Sequence, residues 1–193
     1  ETVAEVEALE LPNPQKVAYI TQTTLSLDDC AAMVGALKRK YPSVKEPTKD
    51  DICYATQNRQ NAVKVMAPKC ATVLVVGAPA SSNANRLVEV AAALGSTAYL
   101  IESAEDIQPE WLIGDVGLTA GASTPEAIVQ ACVERVCALG DFRLEEFRLV
   151  EERIMFPLPG ELLNAAAQKG VAVAAGNERA AERAAAEFRI THH

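Results

Sequence analysis

Three short segments of this sequence are rich in hydroxyl and amide side chains, and each follows an apolar run. They are "TQTTLS" (21–26), "SSNAN" (81–85) and "GAST" (121–124). Ser, Thr and Asn side chains are neutral hydrogen-bond donors. If each segment opens a helix, the unpaired backbone N–H groups and partial positive charge of that helix end add to them. The three segments together predict a site for a phosphate or diphosphate that needs no cluster of Lys or Arg.

Helix capping is the alternative interpretation of the same residues. Ser, Thr and Asn are favoured at N-caps, where one side chain accepts a hydrogen bond from the first turn. Ser26 with Asp29 and Ser123 with Glu126 have the spacing of capping boxes, and we assign Ser26 to capping alone. For any single Ser or Thr capping stays open, but one cap needs one side chain and "SSNAN" supplies four.

Cys53, in "DDICYATQNRQ", directly precedes a predicted helix. A helix N-terminus stabilises a thiolate, which suits a nucleophile or a metal ligand, whereas a small buried hydrophobe is the alternative. Cys30, Cys132 and Cys137 fit that alternative because they fall at apolar helix positions. With no CxxC, CxH or HxxxH pattern and only two terminal histidines, the sequence shows no complete four-ligand site and no Cys/His or Ser/His/Asp catalytic set.

Alternating strands and helices are predicted to position these residues. The predicted strands are 16–21, 72–77, 97–101 and 115–120, and the predicted helices are 27–40, 56–67, 83–95 and 125–140. This order is typical of a parallel α/β sheet, which binds ligands at the carboxyl ends of its strands. After Gly140 we expect an edge strand at 153–156, and from Asn164 a marginal Ala-rich helix or a frayed tail.

Composition narrows the class of protein. The 193 residues carry a formal net charge of −8, which argues against an extended nucleic-acid surface. No apolar stretch reaches the roughly 18 residues of a membrane span, and the first residues lack the pattern of a signal peptide. Neither GxxxxGK[ST] nor GxGxxG occurs. We therefore expect a cytoplasmic globular protein that binds neither nucleic acid nor membranes.

Four long stretches, in order, resemble the 4-hydroxy-3-methylbut-2-enyl diphosphate reductases of the non-mevalonate isoprenoid pathway. They are "ITQTTLSLDD" (20–29), "KDDICYATQNRQNAV" (49–63), "VLVVGAPASSNANRL" (73–87) and "AEDIQPEWL...VGLTAGASTPEAIVQ" (104–130). The resemblance extends over about residues 1 to 163 and ends with "EERIMFPLPGEL". Because several long motifs agree in register, it is specific.

The resemblance implies an oxidoreductase that converts its substrate, with loss of water, to isopentenyl and dimethylallyl diphosphate. It also implies a 4Fe-4S cluster held by three cysteines and electrons delivered by ferredoxin or flavodoxin. Cys53 would be one cluster ligand, Thr56 would lie near the cluster, and Thr23 would contact the substrate hydroxyl and help pass protons. The implied diphosphate-binding residues are Ser81, Ser82, Asn83 and Ser123.

The fold implied by the resemblance has three α/β lobes around the cluster, here one full lobe plus part of another. Residues 1–49 would be part of the middle lobe, 50–140 the C-terminal lobe, and 141–193 a tail segment with an Ala-rich end. The other two cysteine ligands, and the family's histidines and glutamate, have no counterpart here. We expect the isolated chain to bind no stable cluster and to be inactive. The alternative is a noncatalytic α/β fragment or module that binds a small phosphorylated ligand or a protein partner.

Overall fold

The computed structural model describes residues 2–48, 51–147, 160–169 and 187–192, which are organised around one five-stranded sheet. In spatial order the strands are β2, β1, β3, β5 and β4. They are β1 (Thr72–Val76), β2 (Thr97–Ile101), β3 (Val116–Ala120), β4 (Phe142–Phe147) and β5 (Glu187–His192). The first three pair in parallel, whereas β5 runs antiparallel to β3 and β4. The predicted α/β class with a parallel core is confirmed.

The four helices predicted with bounds begin and end close to those bounds. They are α1 (Val3–Ala8), α2 (Leu27–Lys40), α3 (Tyr54–Met66), α4 (Ser82–Ala93), α5 (Glu126–Leu139) and α6 (Gly160–Gln168). Helix α2 has its predicted bounds, and α3, α4 and α5 lie within two residues of theirs, whereas α1 is not predicted and α6 begins before Asn164. Ser26 caps α2 as expected, because its Oγ accepts a hydrogen bond from Asp29 N at 3.3 Å.

Both faces of the central strands are covered, which explains why they are apolar without alternation. All five residues of β1 and of β3 are buried. Val73 and Val75 pack with α3 and α4 on one face, while Leu74 and Val76 pack with α5 on the other. Helix α3 leads into β1, and β1 leads into α4, each through a short connection. Both helices therefore run antiparallel to β1, with their N-termini at the carboxyl edge of the sheet.

The predicted strand at 16–21 is wrong. Its backbone makes one isolated parallel bridge, between Ala18 and Lys45, and Ile20 is 87% exposed. A strand needs a neighbour to satisfy its backbone N–H and C=O groups. Within the described ranges, the run 16–21 has only that bridge.

The expectation of a helix or a frayed tail is also wrong for residues 187–192. These residues form β5, inserted between β3 and β4, with Phe188 and Ile190 buried in the core. Their aromatic and β-branched side chains suit a strand, and β3 offers an edge for them to pair with. The predicted strand at 153–156 lies outside the described residues. Among the helices that the structure describes, none combines the length and apolar character needed to cross a membrane.

Candidate functional site

The loops that follow β1 and β3 meet at the carboxyl edge of the sheet. Val76 O, at the end of β1, accepts hydrogen bonds from Thr124 Oγ1 at 3.0 Å and from Gly121 N at 2.9 Å. A Cβ placed on Gly121 would lie 3.5 Å from Ala84 Cβ and 3.8 Å from Asn83 Nδ2. The "GAST" loop therefore lies against the first turn of α4.

The polar side chains of "SSNAN" have different local roles. Ser81 is the N-cap of α4, and its Oγ accepts a hydrogen bond from Ala84 N at 3.3 Å. Asn85 Nδ2 donates to Pro79 O at 2.8 Å and to Ser81 O at 2.9 Å, so Asn85 braces the loop. This supporting role of Asn85 is not predicted from the sequence. The sign of it in the sequence is that "SSNAN" contains more polar side chains than one helix cap needs.

Asn83 has no such local role. Its side chain is 8% exposed, and neither Oδ1 nor Nδ2 has a hydrogen-bond partner among the described residues. A buried polar group without a partner costs roughly 1–3 kcal/mol. Ser82, the first residue of α4, is exposed beside it. Asn83 Nδ2 and the backbone N–H groups of the α4 N-terminus are thus the donors that a bound anion would engage.

The predicted capping box of Ser123 with Glu126 is wrong. Helix α5 begins at Glu126 with Pro125 as its N-cap, and no side chain caps it. Ser123 instead lies exposed in the turn that Thr124 ties to β1. Its hydroxyl is therefore at the same edge of the sheet as Asn83.

Thr23 and Cys53 are brought into direct contact, although 30 positions separate them. Cys53 N donates to Thr23 O at 3.1 Å. Cys53 is the N-cap of α3, and both residues are exposed. Thr56, in the first turn of α3, is buried at 2% exposure. Because α3 and α4 pack side by side with their N-termini at the same edge, this pair and the α4 loop share one side of the molecule.

The other four cysteines are buried or half-buried. Burial raises the pKa of the Cys70 and Cys132 thiols to about 11, so both stay protonated at neutral pH. Burial also raises the pKa of Cys30, partly offset by a hydrogen bond with Thr21. Cys53 is the one exposed cysteine. In the described part of the chain, no group of three or more His, Cys, Asp or Glu side chains could hold a metal ion.

A cavity of about 570 Å³ lies between α1, α2 and the segment 19–26, which includes the "TQTTLS" loop. Gln22, Asp29 and Arg86 give it polar walls, and the remaining lining is mostly apolar. None of the predicted site residues lines it. The candidate site is therefore the loop edge of the sheet rather than this cavity.

Comparisons with known proteins agree with the motifs. The chain is 53% identical over 161 residues to 4-hydroxy-3-methylbut-2-enyl diphosphate reductase 2 of Burkholderia mallei, covering 82% of this chain and 49% of that protein. It is 55% identical over 170 residues to the 4-hydroxy-3-methylbut-2-enyl diphosphate reductase of Bordetella pertussis, covering 87% and 52%. The chain thus spans about half the length of the curated relatives it matches.

A solved structure has the same fold. It is the E-1-hydroxy-2-methyl-but-2-enyl-4-diphosphate reductase from Plasmodium falciparum, which is 40% identical, with a TM-score of 0.65 over 69% of this chain and 43% of that chain. The family model of the LytB protein matches residues 1–137, which contain all the predicted site residues. On this evidence the chain belongs to the LytB protein family.

Proposed function

We propose that this chain is part of a 4-hydroxy-3-methylbut-2-enyl diphosphate reductase and carries the residues that hold the substrate diphosphate. The observation that carries the proposal is the buried amide of Asn83, which has no partner in the described residues and lies beside the Gly121 backbone. A polar group kept buried at such a cost is typical of a ligand site. Family membership supports an allylic diphosphate as this ligand.

The diphosphate would be held by neutral donors and a helix end. Asn83 Nδ2 and the exposed hydroxyls of Ser82 and Ser123 would together hold the diphosphate at the N-terminus of α4. Ser81 would bind with its O–H while its oxygen still accepts the capping bond from Ala84 N. This arrangement lets a chain of net charge −8 bind an anion locally.

Cys53 is the iron ligand in this proposal. Its thiol is exposed at the N-terminus of α3, but the described residues contain no three-ligand group around it. The chain would therefore supply one ligand of a 4Fe-4S cluster, and Thr56 would lie near that cluster. The other ligands would come from the half of the protein that is present in the relatives and lies outside this chain. A bound cluster would supply the electrons for the reduction.

Thr23 would hold the substrate hydroxyl. Its backbone is tied to Cys53, and its exposed side chain lies at the same edge as the diphosphate loops. The overall reaction takes up two electrons and two protons, breaks the allylic C–O bond and releases water. Thr23 would pass a proton toward the departing oxygen, giving isopentenyl and dimethylallyl diphosphate.

The remaining parts of the proposal concern the whole protein. Residues 1–49 would belong to the middle lobe and 50–140 to the C-terminal lobe, with the tail segment 141–193 sharing the sheet of that lobe through β4 and β5. Ferredoxin or flavodoxin would deliver electrons to the cluster. The whole protein would be located in the cytoplasm.

Iron and acid-labile sulfide, measured anaerobically on the full-length protein, test the proposal directly. We expect about four irons per chain and turnover of the diphosphate with a reduced donor. Cys53→Ser should abolish both iron content and turnover. The absence of iron and sulfide from the wild-type protein would rule out the reductase and favour a noncatalytic phosphate-binding module.

A separate experiment tests whether the exposed serines of the loops after β1 and β3 bind the diphosphate. Ser82→Ala combined with Ser123→Ala should leave iron content unchanged and raise KM for the diphosphate at least about tenfold, since each lost donor is worth on the order of 1 kcal/mol. Ser81→Ala is the comparison, because it also removes the cap of α4 and lowers stability by about 1 kcal/mol. If the Ser82 and Ser123 pair changed only the melting temperature, the anion site would be disproved.

A further inference from the structure

Gln60 is a fully buried amide whose two polar atoms both bind the backbone of another segment. It lies on α3 with 0% exposure. Its Nε2 donates to Leu25 O at 2.8 Å, and its Oε1 accepts from Leu27 N at 2.9 Å. Only one orientation of the amide satisfies both bonds. Leu27 opens α2, so Gln60 satisfies one of the N–H groups that a helix start leaves unpaired.

The segment held by Gln60 is the one that carries Thr23. Along α3, Cys53 N binds Thr23 O, Gln60 binds Leu25 and Leu27, and Lys64 Nζ pairs with Asp28 Oδ1 at 2.7 Å. The ion pair is largely exposed on the Asp28 side and is worth little. Thr21 N donates to Asp51 Oδ2 at 2.7 Å and holds the start of the segment near Cys53, whereas the buried Gln60 bonds hold its other end, at the start of α2.

The geometry points to Gln60 as a positioning residue that sets the Thr23 hydroxyl relative to the Cys53 thiol. This inference rests on the proposed function, in which Thr23 contacts substrate and Cys53 ligates iron. Reacting groups displaced by about 1 Å lose on the order of a hundredfold in rate. A residue that holds two backbone groups of the Thr23 segment against the helix of Cys53 prevents such a displacement.

Amide hydrogen exchange on the full-length protein tests the brace without relying on activity. In Gln60→Met, which keeps the side-chain length but removes both bonds, we expect the Leu27 and Cys53 amides to exchange at least about tenfold faster. Ser96→Ala is the matched control. It removes buried hydrogen bonds from Ser96 Oγ to Ala67 O at 2.7 Å and Cys70 O at 3.0 Å, beyond the opposite end of α3, and should leave both amides unchanged.

Kinetics separate positioning from stability. Gln60→Met should lower kcat at least about tenfold while iron content stays unchanged and KM stays within about twofold, because the α4 loop is not contacted. Gln60→Glu adds a pH profile: its protonated form can donate to Leu25 O and its ionised form cannot. We therefore expect its kcat, relative to wild type, to fall as pH rises.

Two results would overturn the inference. One is an unchanged exchange rate of the Cys53 amide in Gln60→Met. The other is a kcat of Gln60→Met no lower than that of Ser96→Ala, when both variants have lost the same unfolding free energy. If the wild-type protein held no iron and turned nothing over, the proposed function would fail by itself. The positioning role would fail with it, whereas the exchange data would still decide whether Gln60 braces the segment.

Discussion

Asn83 and Asn85 lie two positions apart on α4 and are the same residue type in opposite situations. Asn85 donates two hydrogen bonds to the preceding loop, whereas both polar atoms of Asn83 are buried without partners in the described residues. Asn85 therefore stabilises the fold, and Asn83 is retained at a cost to stability. This contrast separates the proposed binding residue from a structural one more sharply than burial does.

Replacing each asparagine by leucine should change stability in opposite directions. Asn83→Leu should raise the free energy of unfolding by about 1 kcal/mol, because it removes an unsatisfied buried amide. Asn85→Leu should lower it by about 1 kcal/mol, because Pro79 O loses its side-chain donor and Ser81 O keeps only the backbone N–H of residue 85. Urea denaturation measures both. Inorganic diphosphate should raise the melting temperature of wild type but not of Asn83→Leu; equal ligand shifts would contradict the assignment.

Cysteine reactivity is the second residue-scale prediction. Native protein freed of metal should react with a thiol reagent first at the exposed Cys53. With their pKa raised to about 11, Cys70 and Cys132 should stay unmodified until the protein unfolds, since at pH 7 about one thiol in ten thousand is ionised. Mass spectrometry of the labelled peptides determines the order in which the cysteines are modified. A fast phase that survives in Cys53→Ser would show that another thiol is the reactive one.

At the scale of elements, the site depends on how closely α4 approaches the end of β1. A Cβ on Gly77 would lie 2.6 Å from Ala84 Cβ, which is too close for either atom to remain in place. A glycine at position 77 therefore allows the N-terminus of α4 to lie directly over the strand end. The same approach brings Asn83 beside the loop after β3.

Gly77→Ala should destabilise the protein by about 1–3 kcal/mol through overpacking and weaken diphosphate binding. Gly35→Ala is the control within α2, where the closest atom outside the helix backbone, Arg39 Nη1, would lie 3.5 Å from the added Cβ. That control should raise stability by about 0.5–1 kcal/mol, since alanine is the better helix former. Thermal unfolding and titration with inorganic diphosphate measure both effects. If Gly77→Ala were as stable as the wild-type protein, α4 would be able to shift away from the strand end without a loss of stability.

For the whole molecule, β5 joins residues near the end of the sequence to the central sheet. It pairs with β3 and β4, buries Ile190 completely, and places Arg189 in an ion pair with Asp115. Without β5, the β3 edge on that side would lose its partner. The strand thus completes the sheet whose strands β1 and β3 lead into the candidate site.

Ile190→Asp should lower the free energy of unfolding by about 3–5 kcal/mol, because it leaves a cavity and buries a charge. Thr191→Asp alters the next residue, which is half-buried, and should cost less than about 1 kcal/mol. Chemical denaturation compares the two variants. If they proved equally stable, β5 would not be a core strand.

Local sequence patterns predicted much of this structure. Strands β1, β2 and β3 and helices α2 to α5 follow from apolar periodicity, because each pattern is complete within one segment. The Ser26 cap and the packing role of Cys132 follow for the same reason. The motifs also predicted the family, which the comparisons confirm.

Contacts between distant segments decided the rest. The run 16–21 is not a strand whereas 187–192 is one, because a strand requires a partner that its own residues do not specify. Within "SSNAN", only the fold distinguishes the cap Ser81, the brace Asn85 and the unpartnered Asn83. The sequence by itself determined which residue types stand at the strand ends; the tertiary structure decided which of them remain available to a ligand, since hydrogen-bond partners come from elsewhere in the chain.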